Sequence, residues 1–347
     1  MADSNPPDYD TLKALDLQEK QLRPQEAQGL QKTTLEELTR QCHDQLSRPL
    51  RSEILSSSTT GTIPLPTGKY CPIRLDYWAD CHAQQQALYS SVYRHLRLTS
   101  GNARLFPPPI ELEIMRRKLS DRPISSEQGL ERYEHLGVEQ YVSDIITELS
   151  KLPAARDEFG LGDGIQFENH INFLHENEAI ETDANQSSKV HNPRPDRFCI
   201  HRIDGNNLTL LTTVEYKPPY KLSVPTIRTG LCPMYLWADM VKSSKIPTEE
   251  DAKSRYNAER LVCSALVQEY HVMIQEGLEY SYITNEIARV LLRVQHDDPS
   301  TLYYYFCDPN SEVDSGADHC FHSPKTSIAR KLCLCLMAFR SSIRGQE

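Results

Sequence analysis

Two β-type segments that meet at Asp204-Gly205-Asn206 constrain this chain more than any other feature. Asp196 to Ile203 and Asn207 to Lys217 read as strands, and a Gly-Asn turn between two such runs marks a β-hairpin. Pro195 stands just ahead of the first run and Pro218-Pro219 just after the second. Proline cannot donate to a strand ladder, so the hairpin is expected to start and stop there, leaving its end open at the sheet edge. A turn centred on Gly205 and Asn206 sets Asp196 directly opposite Glu215, with Cβ atoms about 5 Å apart. Centring it on Asp204 and Gly205 makes the two acids diagonal neighbours. Side chains alternate along a strand, so Glu215 and Lys217 share a face while Tyr216 points away from it.

Acid, acid and amine on one face suit phosphodiester hydrolysis. Asp196 and Glu215 would hold Mg2+, or Mn2+, and the Tyr216 backbone carbonyl would add a ligand; Mg2+ keeps several waters, so few protein ligands suffice. Lys217 would orient the attacking water or help to deprotonate it. An acid and a lysine two positions apart carry little information alone, as Asp251-Ala252-Lys253 in a helical stretch of the same chain illustrates. The plain alternative is an exposed ion pair on an amphipathic strand. The matched hairpin register gives the trio its specificity.

Arg194-Pro195-Asp196, a hairpin, and then Val214-Glu215-Tyr216-Lys217 resemble the PD-(D/E)XK signature of restriction-endonuclease-like folds. Gln268-Glu269-Tyr270, Gly277 to Thr284 and Ala288 to Arg293 resemble the helix-strand-strand pattern of uncharacterised fungal nuclease-like proteins. The resemblance covers roughly 135 to 310. It implies a mixed sheet flanked by helices, a Mg2+ site at Asp196 and Glu215, and an acid from the preceding helix, where Glu139 is preferred and Glu148 is the other candidate. These two are nine positions apart, hence about half a turn apart in direction, so only one can face the site. Gln268 is a third supporting candidate, although the helix glutamine of such proteins is followed by tyrosine four positions on, and here Val272 stands there.

Around the hairpin the sequence reads as an α/β chain with three parts. Residues 1–67 have few aromatic anchors and read as a mobile arm and linker, with one helix marked by Thr33-Thr34-Leu35-Glu36 and the stripe Leu35, Leu38, Cys42 and Leu46. Residues 68–130 form a helical layer, with helices expected near 77–96 and 111–119. Residues 131–347 form the nuclease-like domain. There a helix over 138–152 has a 3.6-residue apolar stripe, and a long helix over 254–275 ends at Gly277. Strands are expected at 280–284, 288–294 and 302–307, then a last helix over 323–341.

Composition sets limits on partners. A formal charge of −10 excludes a chain that coats nucleic acid indiscriminately, since that binding rests on neutralised phosphates. Contact with nucleic acid would be local. Basic residues gather after the hairpin at Lys217, Lys221, Arg228, Lys242, Lys245, Lys253, Arg255 and Arg260, diluted by acids. No run of 18 apolar residues offers a membrane span, and the polar start lacks a secretory signal, so the expected location is intracellular, nuclear or cytoplasmic. A protein partner through the N-terminal arm is a further expectation. His170 and His175 lack the spacing of a helix-borne metal pair, and Cys333 and Cys335 fall in an apolar helix, so neither set reads as a zinc centre. Phosphate-loop, serine-elbow and dinucleotide-turn motifs are absent. Three functional readings stand: metal-dependent cleavage of nucleic acid, DNA ahead of RNA; a catalytically inactive nuclease-like fold that serves as a binding module; or an intracellular scaffold whose N-terminal arm recruits partners.

Overall fold

The computed structural model describes residues 29–50, 67–98, 103–120, 124, 126–168, 196–204, 207–242, 246–314 and 320–343. Most of the linker, the turn residues Gly205 and Asn206, the loop histidines His170 and His175, and Lys245 lie outside them.

Seven strands form one mixed sheet: β1 Arg74–Tyr77, β2 Ile165–Glu168, β3 Arg197–Asp204, β4 Asn207–Tyr216, β5 Tyr280–Thr284, β6 Arg289–Arg293 and β7 Thr301–Cys307. Their order is β1-β7-β6-β5-β4-β3-β2. β1 runs parallel to β7 and β4 parallel to β5, while the other neighbours are antiparallel. Strand alternation divides the core into two layers. Phe198, Ile200, Leu210, Ile283, Val290 and Leu292 pack with the long helix Glu250–Gln275. Cys199, Leu211, Val214, Tyr216, Tyr282 and Leu291 pack on the other side with helices Gln140–Ser150 and Ser327–Phe339. The architecture is an α/β sandwich with helices on both faces of a mixed sheet, as expected.

The long helix carries Glu250 and Asp251 in its first turn, where carboxylates favour the helix dipole. It closes as its sequence predicts: Gly277 takes φ +68°, and the Leu278 N–H returns to the Met273 carbonyl at 2.8 Å. The helix Val224–Gly230 crosses it so closely that a Cβ on Gly230 would lie 2.4 Å from the Ala258 carbonyl oxygen.

Several elements differ from the sequence expectations. The expected helix over 138–152 is the end of a longer one: Glu127–Glu134 runs through a π-type turn at His135–Glu139 into Gln140–Ser150. β1 occupies the start of the span expected to be a purely helical layer, whose helices are Cys81–Leu98 and Pro109–Ser120, and it joins that layer to the same sheet as the hairpin. Residues 29–50, within the expected arm, are packed. Thr34 caps the helix Leu35–Cys42 with Glu37, one position later than the Glu36 read from sequence, and Leu35, Leu38, Cys42 and Leu46 are buried. Thr33 binds the Phe106 carbonyl through its N–H at 3.0 Å.

Candidate functional site

The site is built by the hairpin's pairing. β3 and β4 pair Arg197 with Val214, Phe198 with Thr213 and Cys199 with Thr212, a register that sets Asp196 opposite Glu215. Past Cys199 the register slips by one and Leu211 bulges, which moves Leu210 to the long-helix face. Thr213, Glu215 and Lys217 then face the long helix, whereas Val214 and Tyr216 face the other layer.

Asp196 sits just before β3. Its Oδ2 accepts the Tyr216 N–H at 2.7 Å. In a strand a residue's N–H and carbonyl point to the same side, so the Tyr216 carbonyl borders the same gap. Lys217 Nζ lies against Glu215 Oε1 in direct contact, and the Lys217 N–H donates to the Thr284 carbonyl at 3.0 Å. Past Pro218 the chain turns, and Asn285 Nδ2 fixes that turn by donating to the Leu222 carbonyl at 2.8 Å. One expectation is corrected here: β4 is an internal strand, between β3 and β5. The prolines end the ladder lengthwise and do not uncover the strand's side. Asp196 is therefore exposed, while Glu215 and Lys217 are buried.

An acid that the sequence did not single out completes this face. Glu269, fully buried on the long helix, accepts hydrogen bonds at Oε1 from Thr213 at 2.5 Å and from Ser281. Its Oε2 is buried without a hydrogen-bond partner. Burial, then the Glu215 charge, pushes the Glu269 carboxyl up to about 8. Burial and Glu215 also push Asp196 up, to about 7. Asp196 is open to solvent at the site mouth, and water there opposes the push. The signal for Glu269 was the pair of hydroxyls, Thr213 and Ser281, on neighbouring strands otherwise rich in apolar residues.

Among the supporting candidates, Gln268 is half-buried one position from Glu269, hence about 100° around the helix. Glu148 pairs with Lys151 at 2.7 Å, away from the hairpin. Glu139 faces inward, but to the opposite face of the sheet. There Glu139 meets Arg197 Nε at 2.6 Å and Lys331 Nζ at 2.9 Å, and Glu134 binds Lys331 at 2.9 Å, Arg289 at 2.6 Å and the Tyr282 hydroxyl at 2.9 Å. Against burial, Arg289 and Lys331 hold Glu134 below the usual carboxylate range; burial and Glu134 push Glu286 well above it. Glu286 is also a non-glycine residue at φ +72°. The helix before the hairpin thus braces the back of β3, β5 and β6.

Among the described residues no group of three His, Cys, Asp or Glu side chains is arranged to hold a metal ion. A cation at the hairpin would rest on Asp196, Glu215 and the Tyr216 carbonyl, with water filling its shell. The donor set suits one in being all hard oxygens, with two acids pushed toward protonation in its absence, while Lys217 Nζ, already on Glu215 Oε1, would have to share that carboxylate with it. Cys333 and Cys335 are buried in the Ser327–Phe339 helix. Many of the basic residues after the hairpin are engaged, Lys221 with Glu127 at 2.8 Å and Arg228 with Asp308 at 2.6 Å among them. No helix among the described residues is long and apolar enough to cross a membrane.

Residues 177–346 match the family described as the Spore killer 2 N-terminal domain. Over 345 residues the chain is 26% identical to the Meiotic driver SPOK2 of Podospora anserina, an alignment that covers 91% of this chain and 44% of that protein. The chain thus spans less than half the length of this relative. No solved structure matches it.

Proposed function

We propose that this chain is a metal-dependent phosphodiesterase of the PD-(D/E)XK nuclease-like kind that cleaves nucleic acid, DNA ahead of RNA. One observation carries the reading: the hairpin register that sets Asp196 opposite Glu215, with Lys217 on the same face at the end of β4. Asp196, Glu215 and the Tyr216 carbonyl would hold Mg2+ or Mn2+. The bound cation would lower the pKa of its water and withdraw charge from the phosphoryl oxygens. Lys217 Nζ, pinned beside Glu215 by a strand end that Pro218 and Pro219 terminate, would orient the attacking water, whose proton would pass to the surrounding solvent. Thr213, Ser281 and Glu269 form one hydrogen-bonded cluster on the long-helix side of β4.

The relative's name, a meiotic driver, states a biological effect and no chemistry. Cleavage of nucleic acid in the nucleus or cytoplasm is one chemistry that would serve such an effect.

The test is incubation of purified chain with linear DNA, circular DNA and RNA, with Mg2+, Mn2+ or chelator, beside Asp196→Asn and Lys217→Ala. Metal-dependent cleavage that falls at least about 100-fold in both variants supports the reading. Cleavage unchanged by them removes the site assignment. If no substrate is cut yet nucleic acid is still bound, the binding-module reading takes its place.

A further inference from the structure

A cleft at the end of β7 opens on the same end of the sheet as the hairpin site. β4 ends at Tyr216 opposite Thr284, where β5 also ends; β6 begins there at Arg289, and β7 ends at Cys307 opposite Arg289. The chain that leaves Lys217 crosses this end of the sheet. Asn285 holds it at Leu222, and Arg228, in the helix Val224–Gly230, reaches Asp308 just past β7 at 2.6 Å, with its guanidinium 5.1 Å from the centre of the Phe306 ring. β7 lies four strands from β3, about 19 Å at the usual spacing, which is about six stacked nucleotides along one strand.

The cleft has a volume of about 330 Å3, and Tyr305, Phe306, Arg228 and Arg330 are among the residues that line it. Its arginines are matched, Arg228 by Asp308 and Arg330 by Glu312, so a phosphate finds no spare charge in them. What remains open is a ring and a short run of backbone. β1 ends at Tyr77 opposite Tyr304, and the Trp78 N–H donates to the Tyr304 carbonyl at 2.8 Å. Backbone groups repeat their direction every second residue of a strand, so the Phe306 N–H and carbonyl face the side that β1 has left. No backbone group meets them there among the described residues. Arg330 is buried, and its Nε has no hydrogen-bond partner. Tyr305 is half-buried, with the Arg330 guanidinium 5.2 Å from its ring centre. A flat heteroaromatic ligand with donors and acceptors on its edge answers all of these: a ring to stack on, a donor beside an acceptor, and a buried N–H.

Resting on the phosphodiesterase reading, we propose that this cleft receives an unpaired base of the nucleic-acid substrate, stacked on Tyr305 with its hydrogen-bonding edge at the Phe306 N–H and carbonyl. A base inside a duplex has its faces stacked and its edge paired. The substrate is therefore a strand that is single-stranded within about six nucleotides of the phosphodiester presented to Asp196 and Glu215.

The experiment scans single abasic positions through a labelled single strand about eight nucleotides long, just over the span from Asp196 to the cleft. Each strand is titrated with wild-type chain, Tyr305→Phe and Tyr305→Leu, with Ca2+ in place of Mg2+, and cleavage is measured separately in Mg2+. Wild type is expected to lose at least about fivefold in affinity when one particular position is abasic, and little at the others. Tyr305→Leu weakens binding of the intact strand by a similar factor and removes the sensitivity at that position. Tyr305→Phe keeps both the affinity and the profile. A ring that only supports the fold would weaken every strand alike and leave the profile unchanged. That result overturns the proposal, as does a wild-type profile with no sensitive position, or a wild-type chain that binds no strand. A chain that shows the profile but never cleaves removes the phosphodiesterase reading alone, and one that cleaves with a flat profile removes the base subsite alone.

Discussion

Glu269→Gln is the perturbation whose outcome follows most directly from the site's electrostatics. In metal-free protein, Glu269 is fully buried and its carboxyl is pushed from 4.5 to about 8 by burial and then by Glu215. In the unfolded chain it titrates at its ordinary value. Between these two pH values the folded protein holds a proton that the unfolded chain has lost, so stability falls as pH rises. The contribution is fully present below the unfolded pKa and is lost as pH climbs through the folded one. At 1.36 kcal/mol per pKa unit the full displacement is about 5 kcal/mol, and relaxation around a buried ion reduces it to about 3. Glutamine keeps an oxygen for Thr213 and Ser281 but cannot ionise, and its buried NH2 lacks a partner at a cost of about 1–2 kcal/mol. The curves must therefore cross: the variant is less stable than wild type near pH 5.5 and more stable near pH 9. Urea unfolding with chelator at a series of pH values, followed by tryptophan fluorescence, reads this. Parallel stability curves would show that Glu269 is not held protonated, and the electrostatic account of the site would be wrong.

Lys331→Met removes the cation shared by Glu134 and Glu139 and strands buried carboxylates, so it should cost about 3–5 kcal/mol in urea unfolding. Glu134 has the opposite pH behaviour to Glu269: held low by Arg289 and Lys331 against burial, it contributes stability above the ordinary carboxylate range that is lost as pH falls into acid. Wild-type protein should therefore lose stability on the acid side as well, and Glu134→Gln should flatten that limb of the profile. Gly230→Ala drives a Cβ into the Ala258 backbone and should destabilise by about 1–3 kcal/mol, read as a lower Tm.

The hairpin was legible because its turn, its alternation and its bracketing prolines all act locally. The sequence arithmetic placed Asp196 opposite Glu215, and the pairing of Arg197 with Val214 has that register, although the bulge at Leu211 could not be foreseen because nothing local demands it. The strands of 280–307 and the end of the long helix at Gly277 were likewise readable, from β-branched and aromatic runs and from one left-handed glycine. β1 and β2 were not. Each has four residues, too few for a periodicity to emerge, and each is held by a neighbour distant in sequence. Glu269 was overlooked for a related reason: a glutamate between Gln268 and Tyr270 in a helix reads as surface, and only the Thr213 and Ser281 hydroxyls from two strands reveal its direction. Glu139 does face inward, but the resemblance that singled it out gives no information about which face of the sheet receives it. Its partner Lys331 lies buried in an otherwise largely apolar helix.

The central claim is that Asp196 and Glu215 share one divalent cation at the end of the hairpin. Calorimetric titration of Mn2+ into wild-type chain and Asp196→Asn at pH 7.5, in two buffers of different ionisation enthalpy, tests it without reference to substrate. The account predicts one site in wild type, with protons released on binding because the cation displaces them from acids held near neutrality, and loss of that site in the variant. Equal stoichiometry and affinity in both proteins, or binding with no proton release, would contradict it.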